Sequence, residues 1–241
     1  MGPFWRYYGG KWRAAPRYPA PSFGLIVEPF AGAAGYASRY HDRDVLLIDV
    51  DPVIIGIWQW LIDATRSDVL SVPGVPEGGT VDDIDAPKGA RDLVGFWCNG
   101  GAAQPRKTPS KWAQMERSKI ERGAWGGWIR ARDRVAADVG KISHWNAVCG
   151  DFRSAPDVPA TWFIDPPYQT AAGRHYKHST VDYGALGLWT LDRLGQVIAC
   201  DQGSADWLPW TGAIKLQSTL GKSSEVVFLR DSMDLFNRGI H

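Results

Sequence analysis

The sequence predicts an α/β fold: a mixed sheet with helices on both faces, interrupted by a mainly helical insertion. Three stretches carry that expectation. Gly24-Leu25-Ile26-Val27 is an apolar run that passes into the turn Glu28-Pro29-Phe30-Ala31-Gly32-Ala33-Ala34-Gly35. A strand that feeds a glycine-bearing turn and then a helix opens a nucleotide-binding α/β unit. Val45-Leu46-Leu47-Ile48 is a second apolar run and ends in Asp49-Val50-Asp51-Pro52. Trp162-Phe163-Ile164 is a third, stopped by Asp165-Pro166-Pro167-Tyr168. Proline cannot donate to a sheet ladder, so the pair ends the strand and stiffens the turn.

Taken in order, the chain starts with Tyr7-Tyr8-Gly9-Gly10-Lys11, where two glycines let the backbone approach a ligand closely. After the first strand and its turn, Tyr36 to Tyr40 is expected to start a helix. An acidic residue at the tip of the second strand, Asp49, can accept both hydroxyls of a ribose. Pro52 suits the first turn of a helix, and Val53 to Ala64 has the apolar spacing of one. Val72 to Gly79 and Phe96 to Ala103 are rich in turn residues and are expected as loops. Trp145 to Cys149 reads as a strand ending in Gly150-Asp151-Phe152. Gln196 to Gln202 and Glu225 to Leu229 read as late strands that complete the sheet with an antiparallel hairpin.

Composition narrows the function classes. The chain has 241 residues, 44% of them hydrophobic, and a formal net charge of +1, so overall charge names no partner. Cys98, Cys149 and Cys200 are far apart, which argues against a disulfide scaffold and a zinc ribbon and suits a reducing cytosol. No apolar run is long enough for a bilayer, so no membrane partner is expected. His175 and His178 cluster, but their spacing with Asp182 fits no familiar metal site, and no metal is expected. Thirteen tryptophans exceed the needs of an ordinary core, so some are expected to stack on something.

Asp165-Pro166-Pro167-Tyr168 resembles the catalytic signature of amino-methyltransferases that use S-adenosylmethionine, above all the DNA adenine-N6 methyltransferases. Glu28-Pro29-Phe30-Ala31-Gly32 is similar to the cofactor loop of that family, and Tyr7-Tyr8-Gly9-Gly10-Lys11 to an element before it. Asp151-Phe152 and the Lys222-Ser223-Ser224-Glu225 approach to a late strand also resemble it. The resemblance runs from Tyr7 to Leu229 and implies a Rossmann-like methyltransferase sheet. It implies Asp165, Pro166, Pro167 and Tyr168 as catalytic residues. It implies Tyr7, Lys11, Glu28, Pro29, Phe30, Ala31, Gly32, Asp49, Asp151, Phe152 and Asp165 as residues binding S-adenosylmethionine. The acceptors at Asp165 and the Pro166 carbonyl would hold a target amino group while Tyr168 stacks on its base.

Between Arg106 and Arg134 nine basic residues face three acidic ones, leaving +6, so the remainder of the chain is net −5. Such segregation suits a phosphate-binding patch. The order of the motifs, in which such methyltransferases carry the recognition insertion before the catalytic motif, implies with that charge that residues 66–145 are a helical target-recognition insertion between the two parts of a catalytic domain, 1–65 and 146–241. Arg106, Lys107, Lys111, Arg117, Lys119, Arg122, Arg130 and Arg132 are the candidate contacts to double-stranded DNA, with Trp112, Trp125 and Trp128 interleaved. The expected protein is a cytoplasmic monomer or weak dimer, in a bacterium or a phage-infected host, that methylates adenine N6 in DNA. RNA or a free nucleotide as substrate, and an idle DNA-binding homologue, are the alternatives.

Overall fold

The computed structural model describes residues 1–111, 126–169, 173, 175–218 and 221–231. Seven strands form one sheet: β1 (Leu25–Glu28), β2 (Asp44–Asp49), β3 (Asn146–Cys149), β4 (Ala160–Ile164), β5 (Gly195–Gln202), β6 (Gly212–Ser218) and β7 (Gly221–Arg230). Their spatial order is β3-β2-β1-β4-β5-β7-β6. The first five in that order are mutually parallel, β7 runs antiparallel to β5, and β6 pairs antiparallel with β7. This is the Rossmann-like methyltransferase sheet that the resemblance implies. The chain leaves β1 toward β2 and β3 on one side, and returns to build β4 and β5 on the other. The direction of winding therefore reverses between β1 and β4, and the ends of those two strands open a crevice where such sheets bind ligands.

Strands buried on both faces read as continuous apolar runs, and alternate side chains then serve two cores. In β4, Phe163 joins one core while Trp162 and Ile164 join the other; in β5, Ile198 and Cys200 face the first and Val197 and Ala199 the second. Among the described residues, four helices cover the first face: α1 (Pro52–Asp63), α2 (Arg66–Ser71), α3 (Lys88–Trp97) and α4 (Gly126–Asp138). The second face carries α5 (Tyr183–Leu191), whose Leu186 packs with Trp162 and Phe152.

The expected helix after Asp49 is present as α1. Pro52 starts it, and the Asp51 carboxylate caps it by accepting from Val53 N at 2.9 Å. The described part of 66–145 is mainly helical. Val69, Leu93, Phe96, Trp128 and Val135 share a cluster with Ile26 and Leu47 of the sheet, so these helices form one layer of the main core.

Three expectations are corrected. Tyr36 to Tyr40 starts no α-helix: a single 3-10 turn, Ala37–Tyr40, is followed almost at once by β2, with Asp44 N donating to Gly24 O. Only three residues separate the turn from the strand, too few for a helix. Phe96 and Trp97 are not loop but the last turn of α3, which buries Leu93, Val94 and Phe96. Trp128 does not offer a stacking face; it is fully buried, and its indole donates to Val72 O at 3.0 Å. No described helix is long and apolar enough to cross a membrane.

Candidate active site

The turn after β1 is fixed from both sides. Ala31 N donates to Ile48 O at 2.9 Å, and Gly32 N donates to the Asp49 carboxylate at 2.9 Å. Trp58 of α1 donates its indole N–H to Gly32 O at 2.8 Å. Gly32 has φ +44°, and a Cβ there would stand 2.9 Å from the Tyr7 ring. A side chain is therefore disfavoured by both backbone and space. Glu28 ends β1 fully buried, accepting from Ala37 N at 2.6 Å. Burial pushes its carboxyl up to about 8, with the Ala37 N–H pulling the other way.

Asp49 stands at the tip of β2. Its second oxygen accepts from Asp51 N at 2.9 Å, so both oxygens hold backbone donors and each keeps capacity for another. Burial raises its pKa against those two N–H groups. Phe30 and Phe152 stack across the crevice at 6.0 Å, and the Arg153 guanidinium lies 4.5 Å over the Phe152 ring. Arg153 is itself tied to Asp151 at 2.8 Å. These residues line one cleft with Tyr7, Lys11 and Asp165, enclosing about 960 Å³ of empty space with its open mouth included.

Asp165 enters the cleft from the tip of β4. Lys11, on the N-terminal segment, donates to both of its oxygens, at 2.6 and 2.7 Å, and to Gly9 O at 3.2 Å. The Cys200 thiol of β5 donates to the same carboxylate at 3.4 Å. Burial raises Asp165 to about 6, with Lys11 pulling it down and Glu225 of β7 pushing it up. Burial alone would lower the Lys11 ammonium, but Asp165 beside it holds it well above the usual lysine value. The Tyr168 hydroxyl donates to Glu225, and Lys11 Nζ lies 5.0 Å from the centre of the Tyr168 ring. Tyr183 donates its hydroxyl to Pro167 O. That bond ties the proline turn to the start of α5.

The structure thus brings Tyr7, Lys11, Glu28, Phe30, Ala31, Gly32, Asp49, Asp151, Phe152 and Asp165 to one cleft, with Pro167 on its wall. Pro29 lies in the same turn and Pro166 beside Asp165. None of the described basic candidates lines that cleft. Arg106, Lys107, Lys111 and Arg130 are exposed, and Lys107 pairs with exposed Asp82 at 2.6 Å. Arg132 is half-buried, with its guanidinium 3.5 Å from Val72 O. Arg117, Lys119 and Arg122, with Trp112 and Trp125, lie outside the described residues.

No protein-family model matches the chain, and no curated protein matches it. Among solved structures, the rRNA methyltransferase aviRa from Streptomyces viridochromogenes is similar over 95% of this chain and 84% of that one. The identity is 14% and the TM-score 0.40. The protein yhhF from Escherichia coli, named as a candidate methyltransferase, matches 86% of this chain and 76% of its own at 12% identity and TM-score 0.34. HI0767 from Haemophilus influenzae, named as a candidate methylase, matches 85% and 78% at 9% identity and TM-score 0.34. The functional reading rests on the sheet order and the cleft's own residues rather than on these likenesses.

Sequence reasoning does not single out Tyr176, Tyr183 or Cys200. Tyr176 donates to Tyr8 O at 3.0 Å and packs beside Tyr7, closing the N-terminal segment against the loop after Tyr168. Only the clustered His175 and His178 hint at that loop. Nothing in the sequence around Cys200 marks it, because a buried strand cysteine looks like any small apolar residue.

Proposed function

We propose that the chain is an S-adenosylmethionine-dependent methyltransferase that modifies the N6 amino group of adenine in double-stranded DNA. One observation carries the reading: Asp165 and the Glu28 to Gly32 turn face a single cleft at the switch point of the sheet. The cleft suits S-adenosylmethionine. Phe30 and Phe152 offer an aromatic wall for an adenine ring, and Asp49 offers spare acceptor capacity for ribose hydroxyls. Lys11 and Arg153 are each committed to a carboxylate, which disfavours a pyrophosphate ligand. When bound, that molecule would supply an electrophilic methyl on a sulfonium: an amino nitrogen bonds to that carbon as the carbon–sulfur bond breaks, the neutral thioether leaves, and the nitrogen gives up a proton.

The residues of the chain supply positioning and charge. An adenine amino group is a poor nucleophile because its lone pair is shared with the ring. Asp165 accepts from the amino group and draws that lone pair out of the ring; the carbonyl of Pro166 is the second acceptor. Tyr168 gives the flipped base a ring to stack on. The basic candidates Arg106, Lys107, Lys111, Arg117, Lys119, Arg122, Arg130 and Arg132 hold the DNA backbone through its phosphates.

The test is transfer of a labelled methyl to duplex DNA, RNA and dATP side by side, with mapping of the modified atom. The expected result is label on duplex DNA at adenine N6. Label only on RNA or on dATP would move the substrate class, and absence of cofactor binding by calorimetry would overturn the reading.

A further inference from the structure

We infer that Glu225 is a positioning residue of this site: it anchors Tyr168 by the phenol oxygen and shares Lys11 with Asp165. The inference rests on the proposed methyltransferase activity. Glu225 stands on β7, opposite Gln202 of β5, and is only 5% exposed. Its strand neighbours Val227 and Phe228 are core residues, so a carboxylate here carries a desolvation cost that only specific partners offset. Those partners converge from three parts of the chain. Tyr168 donates to one oxygen and Tyr18 to the other, and Lys11 Nζ lies 3.5 Å from the first.

Each partner is tied to Asp165, directly or through a neighbour in the chain. Tyr168 follows the Asp165 turn. Lys11 holds both oxygens of Asp165. Tyr18 packs edge-on against Phe163, two residues before Asp165, with ring centroids 5.2 Å apart. Burial holds both phenols protonated well above their usual range, so they remain donors. The consequence for the proposed chemistry is twofold. The far end of the Tyr168 ring is fixed, so a base meets a platform already oriented. A second acceptor also stands beside Lys11, so the ammonium can lean toward Glu225 when an amino group takes its place on Asp165.

The experiment compares Glu225→Gln, Tyr168→Phe and the double variant with the wild-type chain. Glutamine keeps the shape but offers one acceptor oxygen where two phenols need one each. Each single variant is expected to lower kcat by about tenfold or more, the size of one misdirected hydrogen bond in a preorganised site, with cofactor Kd unchanged. The double variant is expected to be no worse than the weaker single, because both changes break one link. Glu225→Gln is also expected to move the acid limb of the pH–rate profile downward. Asp165 is faced by Lys11 from the N-terminal segment, Glu28 from β1, Tyr168 from its own turn, Cys200 from β5, Glu225 from β7, and the phenols of Tyr7 and Tyr176. Removing the Glu225 charge takes away a push that raises Asp165.

Multiplicative losses in the double variant, or an unmoved acid limb with wild-type kcat, would overturn the inference. A kcat loss matched by an equal loss of cofactor affinity would also overturn it, as a merely structural effect. The ring signal of Tyr168, followed by NMR in tyrosine-labelled protein, is expected to shift in Glu225→Gln. Failure of the wild-type chain to transfer a methyl, with that shift still present, would sink the methyltransferase reading and leave the anchor standing.

Discussion

Asp49 and Asp165 are both strand-tip carboxylates on the same cleft, yet they are satisfied in different ways. Asp49 accepts from the backbone N–H groups of Gly32 and Asp51. Asp165, among the described residues, accepts only from side chains, the ammonium of Lys11 and the thiol of Cys200. Backbone donors cannot leave without unmaking a loop, whereas a lysine can swing away. Under the proposed function, the first carboxylate therefore builds the cofactor bed, and the second is an acceptor whose partners can be exchanged for a substrate. Two chemically identical groups are given a fixed and a transferable role by the donors around them.

The sharpest test of that contrast removes each carboxylate in turn. Asp165→Ala is expected to lower methyl transfer by at least about a hundredfold while cofactor affinity holds, the scale of losing a transition-state hydrogen-bond partner. Asp49→Ala is expected to do the opposite. It frees two backbone donors and removes the ribose acceptor, weakening cofactor binding by roughly tenfold or more with kcat at saturation within a few fold. Calorimetry with S-adenosylmethionine, beside initial rates, separates the two. If both variants lost binding and turnover alike, the division of labour would be wrong.

Lys11→Met probes the exchangeable partner. Activity of the wild-type chain is expected to fall below about pH 6, where Asp165 takes up a proton. Lys11 holds that carboxyl down, so its loss is expected to move the acid limb to higher pH and cost activity at pH 7. A limb that stays in place would detach Lys11 from the titration.

A smaller effect concerns stability. Glu28 is a third buried carboxyl, raised to about 8 from an ordinary 4.5. A carboxyl whose folded pKa is raised stabilises the fold below its unfolded pKa, and that contribution is lost as pH rises toward the folded value. Wild-type Tm is therefore expected to decline between about pH 5 and 8 relative to Glu28→Gln, which keeps an acceptor for Ala37 N. Parallel Tm curves for the two proteins would show that the fold does not raise the Glu28 pKa above its unfolded value.

Much of this contrast is legible in the sequence because parallel strands are written as plain apolar runs. β1, β2, β4 and β5 can each be read from a short stretch, and the tips of the first three carry Glu28, Asp49 and Asp165. Less can be read where the determining contact is distant. α5 escapes a sequence reading because it is apolar all round and contains Gly184 and Gly187. Gly187 is explained only in three dimensions: a Cβ there would meet Trp207 O at 2.4 Å. β6 escapes it because Gly212 to Ser218 alternates weakly and is defined by its pairing with β7. The Glu225 contacts are equally hidden, since Tyr18 and Tyr168 lie 207 and 57 residues away along the chain.

The alternation along β4 also guards the geometry of the site during folding. Trp162 and Phe163 point into opposite cores, so sliding this strand by one residue would exchange the two and ruin both packings at once. The same slip would carry Asp165 out of reach of Lys11. A molecule threaded out of step is thus eliminated by its own instability, and the population that survives holds its acceptor in place.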